Sequence, residues 1–118
     1  MTGSAQELAL TLFRLAPGRS VEEYRAFSLQ IVRDGMLRMP AVEGFLDLEV
    51  TGSLTGADGW DLVEIIQISS RADFIRDNDT IGAGLAAEWE EWVADFRVLF
   101  LTDLDRSVTR AGRLVIAR

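Results

Sequence analysis

Hydrophobic spacing along this chain of 118 residues changes period repeatedly, and each change coincides with turn or cap chemistry, which restricts the folds open to it. Over 7–15, Leu8, Leu10 and Leu12 alternate with Ala9, Thr11 and Phe13, so a strand here is apolar on both faces. Ala16, Pro17 and Gly18 break it. Ser20 and Glu23 then have the spacing of a capping box, and an amphipathic helix follows with Val21, Tyr24, Phe27, Ser28 and Ile31 as its buried stripe. It fades through 35–40. Alternation returns over 42–54, with Leu46, Leu48 and Val50 on one face and Phe45, Asp47, Glu49 and Thr51 on the other. Thr55, Gly56 and Gly59 supply hairpin chemistry, so 60–69 is expected to pair antiparallel with this strand.

Ser70 caps a short helix expected over 71–77, and Asn78, Asp79 and Thr80 interrupt it. From Ile81 a longer helix is expected to present Leu85, Trp89, Trp92, Val93 and Phe96 on one stripe, and 97–104 closes the pattern as a last strand. The order β-α-β-β-α-β predicts an α+β, ferredoxin-like fold: four antiparallel strands with the helices on one face. Strands that are apolar on both sides leave the other face of such a sheet in need of a cover. In so short a chain the simplest cover is a second copy, giving a homodimer in the form of a dimeric α/β barrel with cavities between sheet and helices. The domain is expected over 7–104, with 1–6 a flexible N-terminus. Residues 105–118 hold four Arg and one Asp, a +3 tail on a body of −10, suited to packing on the partner subunit through Arg106, Arg110, Arg113 and Arg118, with 114–116 as an added edge strand.

Composition removes most catalytic classes. The chain has no Cys, no His and no Lys, so thiolate nucleophiles, Ser-His-Asp triads, Schiff bases and the usual zinc sites are excluded. Proton transfer falls to carboxylates, Tyr24 and water. A formal net charge of −7 argues against a nucleic-acid partner, and no apolar run approaches the roughly 18 residues of a membrane span. The N-terminus shows no basic leader or signal-like stretch, and a cytoplasmic protein is expected. Gly82, Ala83 and Gly84 precede a helix without matching either phosphate-binding glycine pattern, so no nucleotide, and indeed no cofactor, is expected.

The stretch 63–80, VEIIQISSRADFIRDNDT, resembles the central signature of the RedY-like proteins, a branch of the dimeric α/β-barrel superfamily, and 40–45, PAVEGF, is similar to the start of their second strand. The resemblance covers most of 7–104. It implies a small cofactor-free protein of bacterial natural-product clusters, such as those for prodiginine pigments and bisindoles, acting on pyrrole- or indole-derived intermediates and in some cases promoting a cyclisation. Relatives of this kind carry His on the cavity side, including near the position of Thr11. With no His here, either carboxylates have taken that role or the protein binds and shapes a substrate without acid-base chemistry of its own.

Among the carboxylates, Glu64 stands between Leu62, Val63, Ile65 and Ile66, where burial would raise its pKa into a useful range. It coincides with the Glu of the family-like segment, and the competing reading is a structural Glu paired with Arg25, Arg76 or Arg97. Asp47 and Glu49, alternating on one strand face, are placed to neighbour Glu64 across the hairpin as a set of acids with separated pKa values. Asp77, at the helix break with Asp79, is a third candidate acid or a loop brace; three oxygens there are too few for a calcium loop, and no metal is expected. Trp60, Trp89, Tyr24 and Phe45 would frame a flat aromatic substrate, with Tyr24, Ser28 and Thr11 as polar tips and Arg97 as a cation, although Trp89 and Trp92 at helical spacing are more often core. Three functions fit: a cofactor-independent cyclase or isomerase of an aromatic, pyrrole-, indole- or polyketide-derived intermediate; a cofactor-free monooxygenase of the same fold acting on an anionic substrate; and a non-catalytic binding or chaperone-like protein for a pathway intermediate.

Overall fold

The computed structural model describes residues 7–56, 59–104, 108–109 and 112–113. Strands β1 (Glu7–Leu15), β2 (Val42–Glu49), β3 (Leu62–Ile68) and β4 (Val93–Thr102) form one antiparallel sheet in the order β2-β3-β1-β4, with the helices on one face. This is the ferredoxin-like α+β arrangement expected from the spacing. A two-residue ribbon, β5 (Val108–Thr109) with β6 (Gly112–Arg113), follows. The expectations for 1–6, for Arg106, Arg110 and Arg118 and for 114–116 lie outside the described residues.

Period-2 alternation divides the sheet cleanly. Ala9, Thr11 and Phe13 of β1 and Leu62, Glu64, Ile66 and Ile68 of β3 are buried against the helices. The opposite face carries Leu46 and Leu48 of β2, Leu99 and Leu101 of β4 and, between them, Leu10, Leu12, Val63 and Ile65. Leu46, Leu48, Leu99 and Leu101 are 37–46 % exposed, so this chain alone leaves an apolar sheet face in water.

Helix α1 (Val21–Phe27) opens with the capping box: Ser20 Oγ accepts from Glu23 N at 3.1 Å, and Glu23 Oε1 accepts from Ser20 N at 2.9 Å. It runs through a π turn, Ser28–Val32, into α2 (Arg33–Leu37), the Arg33 N–H bonding the Ser28 carbonyl five residues back. The wider turn corrects the expected stripe. Ile31 is 39 % exposed, whereas Val32 and Met36 enter the core, because an extra residue per turn rotates everything after Ser28.

Two boundaries also differ. Strand β2 ends at Glu49; beyond it Val50 N bonds Asp61 O and Asp61 N bonds Phe13 O at the sheet end. The helical stripe expected over 81–96 is two elements: α4 (Ala83–Glu90) stops, and the chain is already extended at Val93. Trp92 therefore lies in the connection and Phe96 on β4. Helix α3 (Arg71–Asp79) starts at the Ser70 cap, whose Oγ accepts from Asp73 N at 3.1 Å, and runs past its expected end at 77 to Asp79, with Thr80 as its cap. Gly82 then lets the chain pass close to the α2–β2 connection, since a Cβ there would stand 2.6 Å from Met39 Sδ and 3.3 Å from the Asn78 backbone.

The core between sheet and helices is strongly aromatic. Phe13 lies 5.3 Å from Tyr24 and 5.1 Å from Trp89, centroid to centroid, and Phe27 stacks on Trp92 at 4.8 Å. Tilted and edge contacts of this kind hold Tyr24 and Trp89 in fixed orientations.

Candidate active site

Sheet register lines up four side chains on the helix-covered face: Val98 of β4 opposite Thr11 of β1, Thr11 opposite Glu64 of β3, and Glu64 opposite Asp47 of β2. Directly opposed side chains have Cβ atoms roughly 5 Å apart, so the sheet holds two carboxyl groups side by side. Glu64 is 5 % exposed.

Helix α1 and α4 supply the donors. Trp89 Nε1 donates to the Tyr24 hydroxyl at 3.0 Å, and that hydroxyl donates to Glu64 Oε2 at 3.1 Å. Ser28 Oγ, at the start of the π turn, donates to Asp47 Oδ2. Asp47 Oδ1 is buried without a donor among the described residues. Each carboxyl thus has one oxygen fixed as an acceptor from a hydroxyl, and the partner of each of those oxygens is left to the pair itself or to a ligand.

Burial drives the electrostatics. It pushes the Glu64 carboxyl up to about 8, the neighbouring Asp47 adds to the rise, and the Tyr24 hydrogen bond opposes it. Asp47 is raised by burial and held back by Ser28. Tyr24 is raised well above the ordinary phenol value, first by burial and then by the charges of Glu64 and Asp47, so it serves as a hydrogen-bond donor and not as a base. With its carboxyl raised this far, mainly by burial, Glu64 favours its protonated form at neutral pH.

Glu64 opens on a cavity of about 360 Å³ between sheet and helices. Thr11 flanks the carboxyl; Phe74, Trp89, Phe96 and Phe100 form aromatic walls, and Val32, Met36, Ile66 and Leu85 add aliphatic surface. Asp47 opens on a second cleft of about 320 Å³ beside β2, shared with Tyr24, Ser28, Phe45 and Glu49. The two carboxyls therefore form part of the wall between the two spaces.

The structure brings Glu64, Asp47, Tyr24, Ser28, Thr11 and Trp89 together, and Phe45 and Glu49 line the second cleft. Three expected residues lie elsewhere. Asp77 is buried outside both spaces, its Oδ2 accepting from Ala41 N at 2.8 Å and its Oδ1 from Arg76 at 3.3 Å, so it braces the chain ahead of β2. Trp60 packs under the Arg14 guanidinium, 4.5 Å from its ring centroid, beyond the cavity. Arg97 alternates onto the open sheet face opposite Leu12 and is exposed there. None of Arg25, Arg76 or Arg97 pairs with Glu64: Arg25 meets Glu49 at 3.5 Å and Arg76 meets Asp73 and Asp77. Asp77 faces inward while Asp79 is exposed, and among the described residues no three acidic side chains converge as a metal group. Sequence reading missed Val32 and Met36, which reach the cavity only through the π turn, and placed Phe96 on the wrong element. Among the described residues no helix is long and apolar enough to cross a membrane.

A four-stranded antiparallel sheet, helices on one face and a cavity between them define a ferredoxin-like α+β protein. The model of the REDY-like protein HapK family matches residues 7–104, and the chain belongs to that family. HapK from Hahella chejuensis is 21 % identical with a TM-score of 0.70, the match covering 87 % of this chain and 97 % of that one. A Dabb family protein with a ferredoxin-like fold from Mesorhizobium loti shares 19 % identity at a TM-score of 0.64, over 86 % and 100 % of the two chains. A dimeric ferredoxin-like protein of unknown function from Thermobifida fusca shares 12 % at 0.65, over 83 % and 91 %. Among curated proteins, none matches the sequence.

Proposed function

We propose that this protein is a cytoplasmic, cofactor-independent enzyme that cyclises or rearranges an aromatic intermediate of bacterial natural-product biosynthesis, Glu64 giving and taking the proton. The observation that carries this reading is a carboxyl group buried beside a second carboxyl, held by Tyr24, and opening on a largely apolar cavity of about 360 Å³. A group near 8 is matched to both directions of proton transfer around neutrality: protonated Glu64 donates to a leaving or developing anion, and its conjugate base then removes a proton elsewhere on the same substrate.

Asp47 is the positioning partner. Held by Ser28, it keeps negative charge beside Glu64 and so keeps the proton on Glu64. Because Tyr24 donates to Oε2, the exchangeable proton of Glu64 belongs on Oε1. The aromatic walls fit a flat substrate, and membership of the REDY-like family supports the pathway setting. A homodimer that stacks the open sheet faces is part of the same reading, supported by the exposed Leu46, Leu48, Leu99 and Leu101.

A carbon-acid probe tests the proton-transfer role without knowledge of the natural substrate. Deuterium exchange beside the carbonyl of 2-tetralone is expected to be catalysed by the wild type, to rise with a midpoint near pH 8, and to fall by about 10²-fold or more in Glu64→Gln. Equal exchange by wild type and Glu64→Gln would leave binding without catalysis as the better reading.

A further inference from the structure

Glu64 needs a route for its proton when the cavity in front of it is full. A bound substrate displaces water from that space, and the carboxyl is almost wholly enclosed. Two contacts lead from it into the wall. One runs through Tyr24 to Trp89 and ends at an indole N–H, which neither releases nor accepts a proton near neutral pH. The other faces Asp47 across the register of β2 and β3.

Asp47 differs from Glu64 in where it opens. Among the described lining residues, Glu64 belongs to the first space and Asp47, only half-buried, to the second cleft of about 320 Å³. Arg25, Arg33 and Glu49, all exposed, give that cleft a polar rim that water can wet. Ser28 Oγ donates to Asp47 Oδ2, while Oδ1 is buried with no donor among the described residues. An orphaned buried oxygen is costly, and a protonated Glu64 directly opposite is the donor that the register supplies.

We infer that the second cleft is a proton port, in which Asp47 passes protons between Glu64 and cleft water while substrate fills the cavity. Outward, Glu64 Oε1 gives its proton to Asp47 Oδ1, leaving Glu64 ionised and Asp47 neutral. A turn about the Asp47 Cβ–Cγ bond then presents that proton to cleft water, which takes it and restores the Asp47 carboxylate. Inward transfer reverses both steps, so a rearrangement has no net proton to lose. Asp47 acts through Glu64 and is a positioning residue. The inference rests on Glu64 being the acid-base group of the cavity.

Isomerisation of 3-cyclohexen-1-one to its conjugated isomer separates the fate of the proton from the rate. The reaction removes a hydrogen from C2 and delivers one to C4, so in heavy water the isotope at C4 records whether Glu64 exchanged with solvent in between. Wild type is expected to place deuterium at C4 in at least about half of the early product, and Asp47→Asn to cut that share by about threefold or more, returning the substrate's own protium. Asp47→Ala is expected to show the same loss and to regain exchange with added formate, which enters from the second cleft and replaces the missing carboxyl. A partner that only tuned Glu64 would change the rate and the pH profile and leave the deuterium share in place. Protium at C4 from wild type, an unchanged share in Asp47→Asn, or no recovery with formate would each overturn the port while leaving Glu64 its role. Isomerisation no faster in wild type than in Glu64→Gln would instead remove the acid-base reading and the port with it.

Discussion

Glu64 makes folding itself sensitive to pH. Its carboxyl is near 8 in the folded chain and near 4.5 when unfolded, so between those values the folded state binds the extra proton. Stability is therefore fully present below about pH 4.5 as far as this group is concerned and is lost as pH rises towards 8, at up to about 1.4 kcal/mol per pH unit. Urea unfolding between pH 5 and 9 is expected to show that decline in wild type and a much flatter profile in Glu64→Gln, which becomes the more stable protein at pH 9. Asp47→Asn removes the neighbouring charge, and the ¹³C signal of the Glu64 carboxyl is expected to titrate at lower pH in that variant. Tyr24→Phe acts in the opposite sense. It deletes the donor that favours the ionised form, so Glu64 titrates higher, and the orphaned Trp89 N–H costs about 1–3 kcal/mol in thermal unfolding.

At the scale of elements, Asp77 and Gly82 show why α3, α4 and the chain before β2 form one unit. Asp77→Ala leaves the buried Ala41 N–H without its acceptor and is expected to cost about 1–3 kcal/mol, read as a lowered Tm with the Glu64 titration unchanged. Gly82→Ala forces Met39 aside and is expected to cost about 1–3 kcal/mol by the same measurement. The strands were legible because a two-residue period survives any register, and with them the face shared by Asp47 and Glu64. Tyr24 and Ser28 were legible as neighbours one turn apart on a helix. The donor roles of Tyr24 towards Glu64 and of Ser28 towards Asp47 were not, since they depend on how α1 crosses the sheet. The π turn leaves no mark in a sequence beyond a stripe that drifts by one residue, which is why Ile31 was preferred to Val32. Trp89, Trp92 and Phe96 keep a helical spacing across a real change to strand, with no Gly or Pro at the junction, so α4 was read too long. Arg97 and Trp60 were assigned to the site by chemistry alone, and strand parity and the cation-π contact with Arg14 place them elsewhere.

For the whole molecule, the open sheet face exposes Leu46, Leu48, Leu99 and Leu101 together. Leu99→Asp or Leu48→Asp puts charge on that face, and light scattering is expected to show dimers for wild type and monomers for either variant, while wild type running as a monomer at micromolar concentration would sink the paired-sheet reading. In the proposed homodimer the same exposed leucines tie the protein's persistence to its abundance. A sheet covered by another copy melts at a temperature that climbs with protein concentration, so dilution becomes a route to unfolding alongside heat. A cell producing this chain sparingly would then lose it to proteolysis out of proportion to the shortfall, and supply would act as a threshold.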